Sequence, residues 1–256
     1  MGDPLVTGPV LVLGASGQLG REFRAAVDRG MASSLSSTWV WADRQACDLA
    51  RPEQVRAHAA GLKPGLIINA AAYTAVDRAE SEPDLAQRIN ADSVHELAQY
   101  ARRSGAVLVH YSTDYVFSGQ SKRPHVESDE TDPQSVYGLT KRAGEVAVQS
   151  EGGRHLILRT SWVFSRYGAN FLKTMLRLAQ ERDELRVVAD QWGAPTSARL
   201  LASQSLQACV QALQADEAQV PPLWGLYHLT CTGQTHWQAY AVHVLQQAAN
   251  RGVKLR

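Results

Sequence analysis

A short apolar segment near the start of the chain leads directly into a glycine-rich turn, and this junction constrains the fold more than any other feature. Val10–Leu13 is apolar throughout, and residues 14–20 follow it with the sequence GASGQLG before a helical segment begins. Glycines allow a backbone to turn tightly and to approach a phosphate closely, and the first turn of the next helix offers free N–H groups. A strand, a turn and a helix in this order predict a dinucleotide-binding unit.

Short apolar strands alternate with helical segments along the rest of the chain. The pattern predicts strands at 38–42, 66–69, 107–113, 155–159, 185–188 and 225–229, and helices at 83–104, 170–180, 197–214 and from Thr235 onward. Such alternation is typical of an α/β fold with a Rossmann-like, doubly wound parallel sheet. We place an NAD(P)-binding domain at 1–165 and a smaller, partly interleaved C-terminal substrate lobe at 166–256, some elements of which return to the main sheet.

The composition favours a globular protein and argues against several classes of partner. Of the 256 residues, 45% are apolar and 20% are charged, which is enough apolar material for a sizeable core. A formal charge of +1 offers no bulk attraction to nucleic acid or to an anionic membrane. Cys47, Cys209 and Cys231 are odd in number and lack metal-type spacing, and the sequence shows no signal peptide or membrane-length segment. We therefore expect a cytoplasmic protein.

Tyr137 and Lys141 are four residues apart on a predicted helix, so their side chains share one face. The lysine charge favours the phenolate and is expected to lower the tyrosine pKa toward the working range of a general acid. Thr113, at the end of the preceding strand, can hydrogen-bond to the same substrate oxygen. Together these residues predict a proton-donating site for a carbonyl group. The same spacing also arises by chance or on an ordinary packed helix face.

Two further strand ends carry candidate cofactor residues. Asp43 and Arg44 follow the second strand, where an acidic residue suits a ribose 2′-OH and an arginine suits the 2′-phosphate of NADP. Because both types stand side by side, NADH and NADPH remain open, as does a simple solvated charge pair. We predict that Asp48 and Leu49 lie over the adenine of the cofactor. After the third strand, the small residues of 70–74 leave room for a flat cofactor.

Several segments carry a closer resemblance. They are NAAAYTAVDRAES, HYSTDYVFSG, VYGLTK, LRTSWVF, NFLKTMLRLA, DQWGAPT and GLYHLT. With the glycine motif, they resemble the extended short-chain dehydrogenase/reductases and, more narrowly, the dTDP-4-dehydrorhamnose reductase family. The resemblance implies that a hydride from NADPH or NADH reduces the C4 keto group of dTDP-4-dehydro-L-rhamnose to give dTDP-L-rhamnose, in nucleotide-sugar and cell-surface polysaccharide biosynthesis.

The resemblance also assigns roles to individual residues. Tyr137 would protonate the new alkoxide, Lys141 would tune the tyrosine and hold the nicotinamide ribose, and Thr113 would be the third catalytic residue. The expected cofactor contacts are Gly14, Ser16, Gly17, Gln18, Leu19, Gly20, Asp43, Arg44, Asp48, Leu49, Ala71, Ala72, Tyr73, Thr74, Tyr137 and Lys141. The expected substrate contacts are Thr113, Asp114, Tyr137, Trp162, Gln191 and Pro195.

The chain departs from the family pattern at two points. Family members usually continue beyond the position of Arg256 and carry an Arg-Pro motif there, so the substrate lobe is expected to be incomplete at its C-terminal end. Some members bind Mg²⁺ through carboxylates at a dimer contact; Glu22 fits one such position, but Arg199 stands where another carboxylate is expected. Glu22 is therefore expected to be a solvated helix residue, Mg²⁺ is a weakly supported ligand, and a homodimer is left open. His236 and His243, without a third ligand beside them, are interpreted as packing or surface residues.

A non-catalytic regulator is the alternative interpretation. The regulatory subunit of methionine adenosyltransferase shares this fold and its NADP-binding site, and a chain with an incomplete substrate lobe could act in the same way. The presence of Thr113, Tyr137 and Lys141 together, and of the DQWGAPT loop, favours the enzyme.

Overall fold

A computed structural model describes residues 3–215 and 223–256 of the chain. In this part of the chain the strands are β1 Val10–Leu13, β2 Trp39–Ala42, β3 Leu66–Asn69, β4 Val107–Thr113, β5 His155–Thr160, β6 Val163–Phe164, β7 Trp192–Gly193, β8 Thr196–Ser197, β9 Gly225–His228 and β10 Thr235–His236. Six of them form one parallel sheet in the order β2-β1-β3-β4-β5-β9. The others form two small sheets, β6 with β8 and β7 with β10.

The strands at the centre of the sheet are apolar because both faces of the sheet are covered. Val10 and Val12 of β1 contribute to one core, whereas Leu11 and Leu13 contribute to the other. Strands buried on both faces are apolar without alternation, as is typical of parallel sheets. The continuous apolar runs of the sequence therefore correspond to the central strands of the sheet.

Helices cover the two faces of the sheet. In the described residues they are α1 Gln18–Asp28, α2 Pro52–Leu62, α3 Val76–Ala79, α4 Pro83–Gln87, α5 Ser93–Ser104, α6 Val136–Glu151, α7 Phe171–Glu181, α8 Ala198–Gln214 and α9 Trp237–Asn250. Phe23 of α1 and Leu201 of α8 belong to one core, whereas Leu97 of α5 belongs to the other. The predicted Rossmann-like, doubly wound fold is thus confirmed. None of the helices in this part of the chain is both long and apolar enough to cross a membrane.

Elements after residue 165 occupy two places in the fold. α8 packs against α1, and β9 lies beside β5, so both belong to the main body. α7 packs against α9, and β10, which pairs with β7, leads directly into α9. The division of the chain at residue 165 stays a prediction.

The segment 185–188 and the start of the last helix differ from their predictions. Residues 185–188 pair with no strand among the described residues, and a backbone hydrogen bond from Gln238 N to Val188 O, at 3.0 Å, ties the segment to α9 instead. The last helix begins at Trp237 rather than at Thr235, because residues 235–236 pair with β7. Both differences depend on which segments meet in the folded chain, and a local pattern does not contain that information.

The predicted helix at 83–104 changes its hydrogen-bonding pattern in the middle. Arg88–Asp92 forms a π turn between α4 and α5. π turns are rare in proteins as a whole, but those that do occur are often found at functional sites. Here the turn carries Asn90, which is buried and donates a hydrogen bond to Thr140 Oγ1 at 3.1 Å. The apolar periodicity of the sequence did not predict this change.

A buried ion pair joins α6 to β5. The guanidinium of Arg159 donates two hydrogen bonds to the carboxylate of Glu145, at 2.8 and 2.7 Å. Arg159 is 4% exposed and Glu145 is fully buried. Arg142 donates a further hydrogen bond to Glu145 at 3.2 Å. Two opposite charges tolerate burial together, whereas one of them alone does not.

We expect Glu145→Ala to lower the free energy of unfolding by about 3–5 kcal/mol, because it leaves the Arg159 charge buried without its main partner. Urea denaturation followed by circular dichroism measures the change. The exposed pair between Arg177 and Glu181 provides the control, and Arg177→Ala should cost less than about 1 kcal/mol. Equal losses for the two variants would contradict this assignment.

Candidate active site

The carboxyl ends of the parallel strands meet at one edge of the sheet, which is where ligands bind in open α/β folds. There β1 leads into the glycine turn, β3 leads into residues 70–74, and β4 ends at Thr113. β5 ends at Thr160, which is paired with Thr113, and the turn containing Trp162 follows. The structure therefore brings the predicted glycine, alanine, threonine and tryptophan positions to the same edge.

The glycine turn is packed too closely for side chains. Gly14 has a φ of +75°, and a Cβ there would lie 2.8 Å from Ala71 N, while a Cβ on Gly20 would overlap Gly14 O. Gly17 stands before Gln18, the first residue of α1, and no side chain caps this helix. The first N–H groups of α1 are therefore available to an anion.

The other predicted residues of the turn differ in exposure. Leu19 is buried in the core, whereas Ser16 is exposed. The Gln18 side chain accepts a hydrogen bond from Asn170 Nδ2 at 2.8 Å, which links the turn to the segment before α7. Leu19 therefore anchors the turn, and Ser16 presents its hydroxyl at the surface.

Asp43 and Arg44, at the end of β2, make separate contacts. One carboxylate oxygen of Asp43 accepts hydrogen bonds from the backbone N–H groups of residues 45–46, at 3.0 and 3.1 Å. Arg44 forms an ion pair with Asp48 at 3.5 Å, and its side chain is 76% exposed. Leu49 is buried, and its carbonyl accepts a hydrogen bond from α5. The positive charge of Arg44 is therefore already partly balanced by Asp48.

The segment after β3 is held by Asn90. The Asn90 side chain accepts a hydrogen bond from Tyr73 N at 2.9 Å and donates one to Tyr73 O at 3.1 Å. Tyr73 is buried, Ala71 is half-buried, and Ala72 and Thr74 are exposed. Sequence reasoning missed Asn90, although a polar residue within a predicted amphipathic helix was an available signal.

Thr113 and Tyr137 meet at the end of β4. Ser135 begins α6 by accepting a hydrogen bond from Gly138 N at 3.1 Å, which fixes the turn that carries Tyr137. Burial raises the pKa of Tyr137, and a hydrogen bond with Thr113 opposes that rise. Thr113 Oγ1 also donates to Asp114 Oδ1 at 3.0 Å. The phenol therefore keeps its proton across neutral pH.

Lys141 lies one turn further along α6 and contacts β4. Its Nζ donates a hydrogen bond to Tyr111 O at 2.6 Å and lies 3.4 Å from His110 Nε2. Burial lowers the pKa of Lys141 to about 8, while Glu145 acts in the opposite direction. The expectation that Lys141 lowers the pKa of Tyr137 is wrong for this arrangement. Burial dominates at the phenol, and the amine is directed to the backbone of β4.

His110 completes this cluster and was missed by sequence reasoning. It is fully buried in β4, and its Nδ1 lies 3.2 Å from Asn69 Nδ2. Burial, followed by the charge of Lys141, holds the pKa of His110 well below its ordinary value. A neutral imidazole therefore stands between Asn69 and Lys141. A histidine inside an apolar strand was the signal that could have identified it.

Trp162 has an unusual backbone conformation. Its φ is +46°, in the left-handed region that bulky residues rarely adopt and that is often associated with functional sites. Its ring stacks on Trp237, with centroids 3.5 Å and planes 10° apart, and its carbonyl accepts a hydrogen bond from Thr196 N at 3.2 Å. In the neighbouring loop, Pro195 is half-buried and Gln191 is exposed. Trp237 was not predicted, because nothing in its local sequence sets it apart.

The structure corrects the interpretation of Glu22. Instead of being solvated, Glu22 is buried and accepts a hydrogen bond from Ser165 Oγ at 2.7 Å. His236 caps the N-terminus of α9, and His243 is exposed. Across the described ranges, 3–215 and 223–256, no group of three or more metal-ligating side chains is placed to hold an ion.

Known proteins provide an independent comparison. The family described as RmlD substrate binding domain matches residues 8–256. A dTDP-4-dehydrorhamnose reductase of Escherichia coli (strain K12) is 46% identical over 246 residues, which cover 96% of this chain and 80% of that protein.

Two solved structures have the same fold. A dTDP-4-dehydrorhamnose reductase from Clostridium acetobutylicum ATCC 824 superposes with a TM-score of 0.85 and 37% identity, covering 97% of this chain and 82% of that one. The same enzyme from Bacillus anthracis str. Ames, in complex with NADP, gives a TM-score of 0.84 and 34% identity, covering 95% and 81%. These matches extend over nearly all of the sequence and all of the predicted site. The chain therefore belongs to the dTDP-4-dehydrorhamnose reductase family.

Proposed function

We propose that this chain reduces the C4 keto group of dTDP-4-dehydro-L-rhamnose to form dTDP-L-rhamnose, with NADPH or NADH as the reductant. The proposal is carried by one observation, the placement of the half-buried Tyr137 beside Thr113 at the carboxyl edge of the sheet, where burial raises the pKa of the phenol. Family membership supports the substrate class, because the relatives are reductases of dTDP-4-dehydrorhamnose.

The residues of the glycine turn fit a nicotinamide dinucleotide. The close packing of Gly14 and Gly20 leaves backbone rather than side chains at the turn, and the uncapped first turn of α1 suits a pyrophosphate. Asp43 would lie beside the adenosine ribose, and Ala72 beside the flat rings of the cofactor. When bound, the cofactor supplies the hydride.

Tyr137 acts as the general acid in this proposal. Its raised pKa keeps the phenol protonated until a stronger base, the alkoxide at C4, is present to take the proton. Proton transfer then leaves a hydroxyl on the sugar and a phenolate on Tyr137. Lys141, which is charged below about pH 8, would hold the nicotinamide ribose, and Thr113 orients the reacting oxygen.

Four further residues would bind the sugar nucleotide. Asp114 stands next to Thr113 and offers carboxylate oxygens to sugar hydroxyls, and Trp162 offers an apolar ring surface. Gln191, just before β7, and Pro195, just before β8, would shape the nucleotide end of the site.

The remaining expectations are proposals of the same kind. We propose that residues 1–165 form the cofactor-binding domain, that 166–256 form mainly the substrate lobe, and that the protein acts in the cytoplasm. A homodimer is compatible with this function. We assign no role to Mg²⁺.

An assay of NADPH oxidation with dTDP-4-dehydro-L-rhamnose tests the proposal against the regulatory alternative. Turnover that depends on the sugar nucleotide supports a reductase. NADPH binding without turnover, together with capture of a methionine adenosyltransferase in a pull-down, would favour a regulator. The relatives give that alternative no support, since they are named as reductases.

Tyr137→Phe should lower kcat by about 10²- to 10⁴-fold, because the ring is kept and only the transferred proton is lost. Affinity for NADPH should be nearly unchanged. Tyr100→Phe makes the same chemical change in α5, where the hydroxyl contacts Pro64 O, and it should leave kcat near the wild-type value. Turnover by Tyr137→Phe at the wild-type rate would exclude Tyr137 as the acid.

Lys141 should set the basic limb of the kcat profile. Its pKa of about 8 means that the ammonium is present below that pH and is lost above it, so kcat should fall as pH rises through about 8. Lys141→Met should lower kcat, weaken cofactor binding and abolish this limb. Lys254→Met removes an exposed lysine and should keep the profile. A limb that persists in Lys141→Met must belong to another group.

A further inference from the structure

A cavity of about 410 Å³ lies between the glycine turn and the end of β2. Its walls include Ser16, Arg21, Arg24, Trp41, Asp43 and Tyr167. Ser16 belongs to the turn that would hold a pyrophosphate, and Asp43 stands where an adenosine ribose would lie. The cavity therefore borders the one position at which NADPH differs from NADH, the 2′ position of that ribose.

Arg21 and Arg24 are three residues apart on α1, so their side chains lie on one face of the helix. The guanidinium of Arg24 lies 4.7 Å from the centre of the Trp41 ring, and that of Arg21 lies 5.6 Å from the centre of the Tyr167 ring. Contact with an aromatic face positions a guanidinium while its N–H groups stay available for an anion. Within residues 3–215 and 223–256, neither arginine forms an ion pair with a carboxylate.

The charges around the cavity decide how strongly it can select an anion. The sequence suggested Arg44 as a partner of the 2′-phosphate, but its positive charge is partly balanced by Asp48 at 3.5 Å. Asp28 and Asp43 also line the cavity and oppose an entering anion. One oxygen of Asp43 already accepts two backbone hydrogen bonds. A phosphate gains direct, charge-assisted hydrogen bonds from arginines, whereas the carboxylates act on it only through screened repulsion.

We infer that this cavity receives the 2′-phosphate of NADPH, with Arg21 and Arg24 as its charged partners and the Ser16 hydroxyl as a further donor. The inference rests on the proposed function, because it assumes that a nicotinamide dinucleotide binds at the glycine turn. It places the determinant of the preference between NADPH and NADH on α1 instead of on Arg44.

Isothermal titration of NADPH and NADH against the full chain tests the inference without any turnover. The double substitution Arg21→Gln and Arg24→Gln should raise the Kd for NADPH by about tenfold or more, since it removes charge-assisted hydrogen bonds to the phosphate. The Kd for NADH should stay unchanged. The matched control is the double substitution Arg102→Gln and Arg103→Gln, which removes two exposed arginines of α5 and should alter neither Kd. Arg44→Gln tests the rival position for the phosphate.

Competition with nucleotide fragments isolates the phosphate itself. Wild-type protein should bind 2′,5′-ADP more tightly than 5′-ADP, and the double substitution should remove the difference. Loss of NADPH affinity in Arg44→Gln, an unchanged ratio of the two Kd values in the double variant, or an equal loss for both cofactors would each overturn the cavity assignment.

The outcomes also separate this inference from the proposed function. If wild-type protein binds neither dinucleotide, the reductase proposal fails and the cavity assignment fails with it. If both dinucleotides bind but the double variant leaves the ratio of their Kd values unchanged, the reductase proposal stands and the cavity assignment is wrong. If the ratio changes as expected but dTDP-4-dehydro-L-rhamnose is not reduced, the assignment stands and the substrate proposal falls.

Discussion

The inward face of α6 carries Tyr137, Lys141 and Glu145, and the ion pair between Glu145 and Arg159 is what allows this polar face to be buried. Each charge taken from water costs several kcal/mol unless a partner and hydrogen bonds replace the lost hydration. Arg159 does this for Glu145, and the carbonyl of Tyr111 does it for Lys141. Because these bonds have fixed directions, α6 is held in one rotation. The same rotation presents Tyr137 to Thr113.

The fold could be predicted where a local pattern is enough to define an element. β1 and β3 have the predicted bounds because each is a short apolar run that is buried on both faces. Residues 185–188 show the limit of this reasoning. Their β-branched and apolar residues favour a strand, but a strand also needs a neighbour, and the neighbour is supplied by the tertiary arrangement. The π turn at Arg88–Asp92 is likewise invisible to a pattern based on the ordinary helical repeat.

Some features of the candidate site could likewise be predicted from the local sequence, whereas others depend on residues that are distant in the sequence. The spacing of Tyr137 and Lys141 is a local property of a helix, so the sequence was sufficient to pair them. The direction of the Lys141 amine depends on His110 and Tyr111, which the sheet brings to it from another element. Asp43 and Arg44 show the converse, because two neighbours in the sequence acquire different partners in the fold.

The π turn at Arg88–Asp92 also fixes the number of residues that this part of the chain must contain. Such a turn accommodates one more residue than an α-helical turn does. Losing one residue there would restore a regular helix, but it would rotate one half against the other by roughly 100°. Either Asn90 would leave the Tyr73 backbone, or Val94 and Leu97 would leave the core. The segment is thus specified by the number of its residues as well as by their chemistry, and a single deletion would damage it more than many substitutions.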